Sequence, residues 1–131
     1  MPLCWSHAEY VSLVRSRHDG VCFDRVEAAF QRYVANPVPS RYEIWSLRHR
    51  LRRMTGGKIL RIVLPSEAIV VWSTDNWTNT NTAETVHQTD FGLWFADFPS
   101  AHWSDGSVFE FTCFWKTDQR WQGHNWQVKA I

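Results

Sequence analysis

Apolar and polar positions alternate with a period of two along residues 106–128, the segment of the chain that is richest in aromatic side chains. Every second side chain from Phe109 to Trp115 is apolar, and most of those between them are polar. A polar run at 116–119 predicts a turn, after which residues 120–128 again space aromatic side chains among polar ones. Such alternation is typical of a strand with one buried face. The segment therefore predicts one long strand followed by shorter returning strands.

The pattern differs at the start of the chain, where residues 3–17 contain no glycine or proline and predict a helix. Its apolar side chains cover a wide arc and not one stripe, so we expect this helix to have neighbours on most sides. Residues 23–34 show a second, weaker helical pattern with Asp24 as a candidate N-cap. The proline-containing run at 36–40 interrupts the pattern and predicts a linker.

Period-two alternation resumes after the glycine pair at 56–57. Further strands are predicted at residues 58–64, 67–73, 85–88 and 91–98, with loops at 74–82 and 99–105. The expected fold is α+β, with one or two N-terminal helices followed by a small antiparallel β-sandwich of the immunoglobulin-like type. The predicted domains are a helical segment at 1–35, a basic linker segment at 36–57 and the β-sandwich at 58–131.

Charge is distributed unevenly along the chain, although the net charge is only +1. Residues 1–57 carry nine Lys and Arg against five Asp and Glu, whereas residues 58–131 carry five against eight. Most of the basic excess lies in residues 41–54, where arginines alternate with Tyr42 and Trp45. That pattern raises the question of nucleic-acid binding. A solvated arginine face is the more common cause, so we do not expect nucleic acid as a partner.

The three cysteines, Cys4, Cys22 and Cys113, are widely spaced and include no CxxC pair, which argues against a disulfide framework or a zinc ribbon. A reducing compartment, and hence the cytoplasm, is the expected location. No signal-peptide pattern is present, and no apolar run approaches the ~20 residues that span a bilayer. We therefore expect no membrane partner.

Candidate catalytic groups are dispersed. The candidate carboxylates are Glu9, Asp75, Glu84, Asp97, Asp105 and Glu110. No motif joins two of them into the closely spaced pair that glycoside hydrolysis requires. Cys4 and His7 share a helical face but lack a second pair of metal ligands, so neither a metal nor another cofactor is predicted.

The tryptophans are the strongest candidates for a binding site, because an indole can stack on a sugar ring while nearby polar groups bind its hydroxyls. The candidate stacking residues are Trp72, Trp77, Trp121 and Trp126. Trp94 and Trp115 are assigned to the core by their positions in the alternation. The alternative is that all these tryptophans fill a core or an interface and bind no ligand.

Residues 2–10, PLCWSHAEY, resemble the PLxWAHAEY helix of bacterial glucoamylase-type enzymes of glycoside hydrolase family 15. The segments at 57–62, 71–77, 109–115 and 121–123 look like the β-domain appended to some of these proteins, which is similar to starch-binding modules. The resemblance extends over nearly the whole chain.

This resemblance implies that residues 1–35 are the last part of an (α/α)6 catalytic barrel whose two catalytic glutamates lie upstream and have no position here. Met1 falls inside the family pattern, so a fragment lacking most of its barrel is expected. Catalysis by this chain alone is not expected. The expected function is non-catalytic binding of an α-glucan or oligosaccharide by the β-domain. The alternative is a structural module that packs on the catalytic barrel and has no ligand of its own.

Overall fold

The computed structural model describes residues 4–99, 101 and 104–131 of the chain. Internal contacts divide the chain into two units, Met1–Pro39 and Ser40–Ile131. The first unit is helical and the second is built of strands, so the predicted α+β class is confirmed. Residue 3, where the first helix was predicted to begin, and residues 100, 102 and 103 of the predicted loop at 99–105 lie outside the described residues.

The helical unit contains α1 (Cys4–Asp19) and α2 (Glu27–Phe30), and α2 continues as a π-helical turn at Gln31–Ala35. Arg15 pairs with Asp19 in the last turn of α1, which places a cation and an anion on adjacent turns. The Ser16 hydroxyl joins α1 to the following segment, because it donates to the Ser12 carbonyl and accepts the Phe23 N–H, each at 2.7 Å. No side chain of α1 is buried.

Among the residues that the structure describes, the strand unit contains ten strands in two sheets. They are β1 (Tyr42–Ser46), β2 (Arg53–Met54), β3 (Ile59–Leu64), β4 (Ala68–Ser73), β5 (Asn81–Glu84), β6 (Val86–Gln88), β7 (Leu93–Pro99), β8 (Val108–Trp115), β9 (Arg120–Trp121) and β10 (Trp126–Ala130). The first sheet has the order β1-β3-β7-β6. The second has the order β2-β10-β8-β4-β5, with β9 paired to the free end of β8. The pairs β1–β3 and β2–β10 are parallel, and the other pairs are antiparallel. Both sheets are therefore mixed, whereas an antiparallel sandwich was predicted.

One hydrophobic core lies between the two sheets, and side-chain alternation builds it. Buried and half-buried residues alternate without interruption along β3 and from Phe109 to Trp115 on β8. Trp45 lies at one end of the core, where its ring meets Phe111 edge to face at 4.9 Å and Trp126 at 4.7 Å. Aromatic pairs at these distances add to the stabilisation from apolar burial. The core therefore depends on inward aromatic side chains from both sheets.

The segment at 36–57, predicted as a basic linker, contains two strands of the β unit. β1 pairs with β3 so that Trp45 lies opposite Ile62, and β2 pairs with the end of β10 so that Met54 lies opposite Ala130. Trp45 and Met54 are each only 1% exposed. The strand unit therefore begins at Ser40, before the predicted domain boundary. The loop between β1 and β2 is rich in arginine, and β1 and β2 are too short for their alternation to be recognised on either side of it.

Candidate binding face

Trp121 is exposed on the outer face of the second sheet, with 57% of its surface accessible. It lies on β9 opposite Phe114 of β8, and the two rings meet edge to face with centroids 5.2 Å apart. Phe114 pairs in turn with Ile69 of β4, so these three side chains form one row across three strands. Their neighbours Cys113 and Trp115 point into the core, as the alternation of a strand requires. We call this row, with the adjacent Thr112 and Val71, the Trp121 face.

A paired lysine borders the Trp121 face. Lys116 Nζ donates to Glu67 and Glu84, each at 2.9 Å. These bonds raise the pKa of Lys116, with Glu84 making the larger contribution. Glu84 lies opposite Ile69 in the pairing of β4 with β5, so this charged rim adjoins the apolar row. Both carboxylates therefore hold Lys116 at the rim, and the aromatic row is the apolar part of this surface.

A polar groove of about 380 Å³ lies on the same sheet, toward the other end of β8. Its lining residues are Thr74, Asp75, Asn76, Val108, Glu110 and Gln127. Glu110 shares the outer side of β8 with Thr112 and Phe114, because side chains two positions apart point to the same face. Asn125 donates to Glu110 at 3.2 Å and so holds that carboxylate at the groove. Hydrogen-bonding groups and an exposed indole are thus presented by one sheet.

Asp75 organises the turn that forms one wall of this groove. It accepts hydrogen bonds from the Asn79 backbone N–H at 2.9 Å, the Asn79 side chain at 2.6 Å and the Ser73 hydroxyl at 2.7 Å. These donors, the Asn79 backbone first, lower the pKa of Asp75 from its ordinary value of 3.8 to about 2. The residues that follow, Asn76 and Trp77, have φ of 56° and 64°. The carboxylate therefore stabilises a left-handed turn that residues other than glycine adopt at a cost.

We expect the Asp75→Asn variant to be less stable than the unaltered chain at neutral pH. The pKa of Asp75 is lower in the folded state than in the unfolded state. The stabilisation that the ionised carboxylate gives to the folded state is therefore fully present above about pH 4, and it is lost as the pH falls through about 2. The difference in free energy of unfolding between the two proteins should therefore shrink across that window. Denaturant unfolding followed at several pH values measures it. The matched control is Asp90→Asn, an exposed carboxylate in another loop, and a difference that stays constant with pH would contradict the prediction.

Trp126, a predicted stacking residue, lies in the core and offers no ring face to a sugar. It is 7% exposed and packs against Trp45, Phe111 and His124. The reason is its place in β10, where Trp126, Val128 and Ala130 alternate inward. That alternation was the signal that could have assigned Trp126 to the core.

Trp72 and Trp77 are half-buried. Trp72 stacks on Phe109 at 5.2 Å with 22° between the ring planes, and it packs against the core cluster. The Trp77 backbone N–H donates to Ser73 Oγ at 3.0 Å, and its indole N–H is buried without a partner among residues 4–99, 101 and 104–131. Of the four predicted residues, Trp121 alone presents a largely exposed ring, since the other three are buried or half-buried.

The two tryptophans assigned to the core differ. Trp115 is 8% exposed and donates through its indole N–H to Gln122 at 2.9 Å, as suits a core position at a strand end. Trp94 is half-buried and stacks on His87 of the neighbouring strand with 4.6 Å between centroids. Trp94 lies on the same side of β7 as the buried Ala96 and Phe98. It is near the end of the strand, however, where the core no longer buries the side chain fully.

The structure brings two of the candidate carboxylates together and pairs others with basic residues. Asp75 and Glu110 line the same groove, whereas Glu84 is paired with Lys116. Asp97 forms two bonds with Arg61, at 2.7 and 2.8 Å. Within the described part of the chain no three His, Cys, Asp or Glu side chains are grouped closely enough to hold a metal ion.

Comparison of the chain with protein-family models, with curated proteins and with solved structures finds no match. Among the described residues, neither helix has the length and apolar character needed to cross a bilayer. The assignment of function therefore depends on the geometry of the sheet surface.

Proposed function

We propose that the strand unit binds an α-glucan or a related oligosaccharide, without catalysis, on the outer face of its second sheet. The exposure of Trp121 beside Phe114 is the observation that carries this proposal. An indole with two side-chain torsions loses little conformational entropy on binding, and its face suits the apolar C–H patches of a sugar ring.

The polar groove supplies the second part of a sugar site. Glu110 and Phe114 are four residues apart on β8, which at about 3.3 Å per residue corresponds to about 13 Å along the strand. A chain of several sugar units lying along β8 would reach from the ring of Trp121 to the oxygens and amides of the groove. Carboxylate, hydroxyl and amide groups together offer both donors and acceptors to sugar hydroxyls.

The hydrogen bonds of Asp75 argue against this carboxylate as the general acid of a glycoside hydrolase. Its carboxylate accepts three hydrogen bonds within its own turn, and these keep its pKa near 2. A general acid for glycoside hydrolysis must instead retain its proton near neutral pH. The choice of α-glucan as the ligand rests on the resemblance of the chain to glucoamylase-type proteins.

Affinity electrophoresis in gels with and without soluble starch tests the proposal. We expect starch to retard the unaltered protein, and the Trp121→Ala variant to bind about tenfold more weakly, equivalent to about 1.4 kcal/mol. The residue is exposed, so the variant is expected to remain folded.

Trp5→Ala is the matched control, because Trp5 is 78% exposed but belongs to the helical unit. It should be retarded as strongly as the unaltered protein. Equal mobility with and without starch would reject the proposal. Retardation that Trp121→Ala retains would reject the Trp121 face as the site.

The helical unit favours a second candidate function: we propose that the chain is a structural module that packs on a catalytic barrel of the glucoamylase type and has no ligand of its own. The supporting observation is that α1 buries none of its side chains, although several are large and apolar. Trp5, Tyr10, Val11 and Leu13 are each more than 60% exposed. These side chains are spread around the helix, so α1 exposes apolar surface on several sides, and extensive exposed apolar surface favours contact with another protein. Failure of starch binding would leave this function as the better-supported one.

We also propose the cytoplasm as the location. Cys4, Cys22 and Cys113 are all free thiols, and the first two are exposed. Exposed free thiols persist in a reducing compartment. Burial raises the pKa of Cys113 to about 12, so that thiol is unreactive wherever the protein resides.

A further inference from the structure

A second concave site of about 470 Å³ lies beside β10, away from the row of Trp121, Phe114 and Ile69. Its lining includes the basic side chains of Arg50, Arg52 and Lys129. Trp45 and Trp126 line it as well. A cavity of this size is in the range that holds small-molecule ligands.

The site exists because β2 covers only the last part of β10. Strand β2 pairs with Lys129 and Ala130, and no pairing with it is made by residues 126–128. The Lys129 N–H donates to the Arg52 carbonyl at 3.0 Å, so this N–H points to the edge of β10 that faces β2. Residues two apart in a strand direct their N–H groups to the same edge, so the Gln127 N–H also faces the uncovered side. Gln127 is one of the residues that line the site.

The charged side chains that line the site are all basic, although the carboxylate of Glu110 accepts a hydrogen bond from the lining residue Asn125 at 3.2 Å. Neither Asp nor Glu is among the described residues that line it. Arg50, Arg52 and Lys129 form no ion pair within the described part of the chain, whereas Arg61 and Lys116 on the same unit are both paired with carboxylates. The Arg50 guanidinium makes one bond, from Nε to the Leu47 carbonyl at 3.3 Å, which positions it and leaves its other N–H groups available.

An unsatisfied donor adds to these cations. Trp126 is 7% exposed, and its indole Nε1 is buried with no hydrogen-bond partner among the residues that the structure describes. Buried N–H groups without an acceptor are uncommon in folded proteins and lower stability, so each requires an explanation. Trp126 lines the site, so an anionic ligand there would neutralise the surrounding cations and lie beside this unpaired donor.

We propose that this site binds a tetrahedral oxyanion, either free phosphate or the phosphate ester group of a small sugar. Arginine donors fit phosphate oxygens in pairs, a lysine ammonium adds a point charge, and a single indole N–H contributes direction. Val108 and Gln127 line both this site and the polar groove, whereas Trp121, Phe114 and Ile69 line neither. The proposal therefore does not depend on binding of glucan to the Trp121 face.

Isothermal titration of the full chain with inorganic phosphate, with a hexose phosphate and with the unphosphorylated hexose tests the proposal. We expect the two phosphates to bind and the hexose not to bind at this site. Tighter binding of the ester would identify the sugar phosphate as the ligand source, and equal binding would identify free phosphate. In ¹H–¹⁵N spectra, the indole resonance of Trp126 should shift on addition of either.

Arg52→Gln should weaken phosphate binding about tenfold, the usual effect of removing one charge-assisted bond. The matched control is Arg53→Gln, which makes the same charge change one residue away at an exposed position outside the lining. It should bind phosphate as the unaltered chain does. Trp126→Phe removes the donor and keeps an aromatic ring, and we expect weaker binding after a melting curve confirms that the variant is folded.

The proposal is overturned if phosphate does not bind, or if Arg52→Gln and Arg53→Gln weaken binding equally, which would indicate only a diffuse basic surface. It is also overturned if phosphate leaves the Trp126 indole resonance unmoved.

Discussion

Replacing Trp45 by alanine is expected to lower the free energy of unfolding by about 3–5 kcal/mol, the usual cost of removing a large aromatic side chain from a core. Trp45 is 1% exposed, and its ring is in contact with Phe111 and Trp126. The variant loses both aromatic contacts and leaves a cavity between the two sheets. Denaturant unfolding followed by the fluorescence of the remaining tryptophans measures the change.

Ile44→Ala is the matched control for this experiment. Ile44 is the neighbour of Trp45 on β1, but its side chain is 53% exposed on the opposite side of the strand. Its removal should cost well under half as much. A small effect of Trp45→Ala would mean that this segment is a linker, as its arginine content suggested, and that β1 contributes little to the core.

Trp45 also illustrates why part of the fold could not be predicted. Apolar and polar side chains alternate over six or more residues in β3 and β8, and this pattern predicts both strands. Their predicted positions agree with the structure. β1 has one fully buried side chain, and β2 has two residues in all. Pairing with distant strands decides both, through β3 in one case and β10 in the other. Local pattern carries little information about a strand whose partner is elsewhere in the chain.

The candidate binding site could be predicted only in part, because it too depends on how the strands pair. Residue type singled out tryptophan, but exposure depends on which side of a strand the residue occupies. Trp121 lies opposite Phe114 on the outer side of β8, whereas Trp126 precedes Val128 on the inner side of β10. The polar groove was not predicted, because the contact of the turn at 74–76 with Glu110 and Gln127 is made only when β4, β8 and β10 lie side by side.

Replacing Thr85 by valine should lower the free energy of unfolding by about 1–3 kcal/mol, the cost of leaving a buried backbone group unsatisfied. Thr85 lies between β5 of the second sheet and β6 of the first, and it is 7% exposed. Its hydroxyl accepts the Ala68 N–H at 3.0 Å and donates to the Ala68 carbonyl at 2.9 Å. Valine has nearly the same shape but no hydroxyl, so the Ala68 N–H would lose its partner.

Thr85→Ser separates the hydrogen bonds from the packing, because serine keeps the hydroxyl and loses only a methyl group. We expect it to be more stable than Thr85→Val, although valine buries more apolar surface. Hydrogen exchange at the Ala68 amide gives a local measure, since that N–H should exchange faster in the valine variant alone. If valine is as stable as threonine, the chain passes between the sheets without help from this hydroxyl. If serine and valine are equally destabilised, the methyl contact contributes as much as the hydrogen bonds of the hydroxyl. If serine is the less stable of the two, packing of the methyl group holds the strand switch at Thr85.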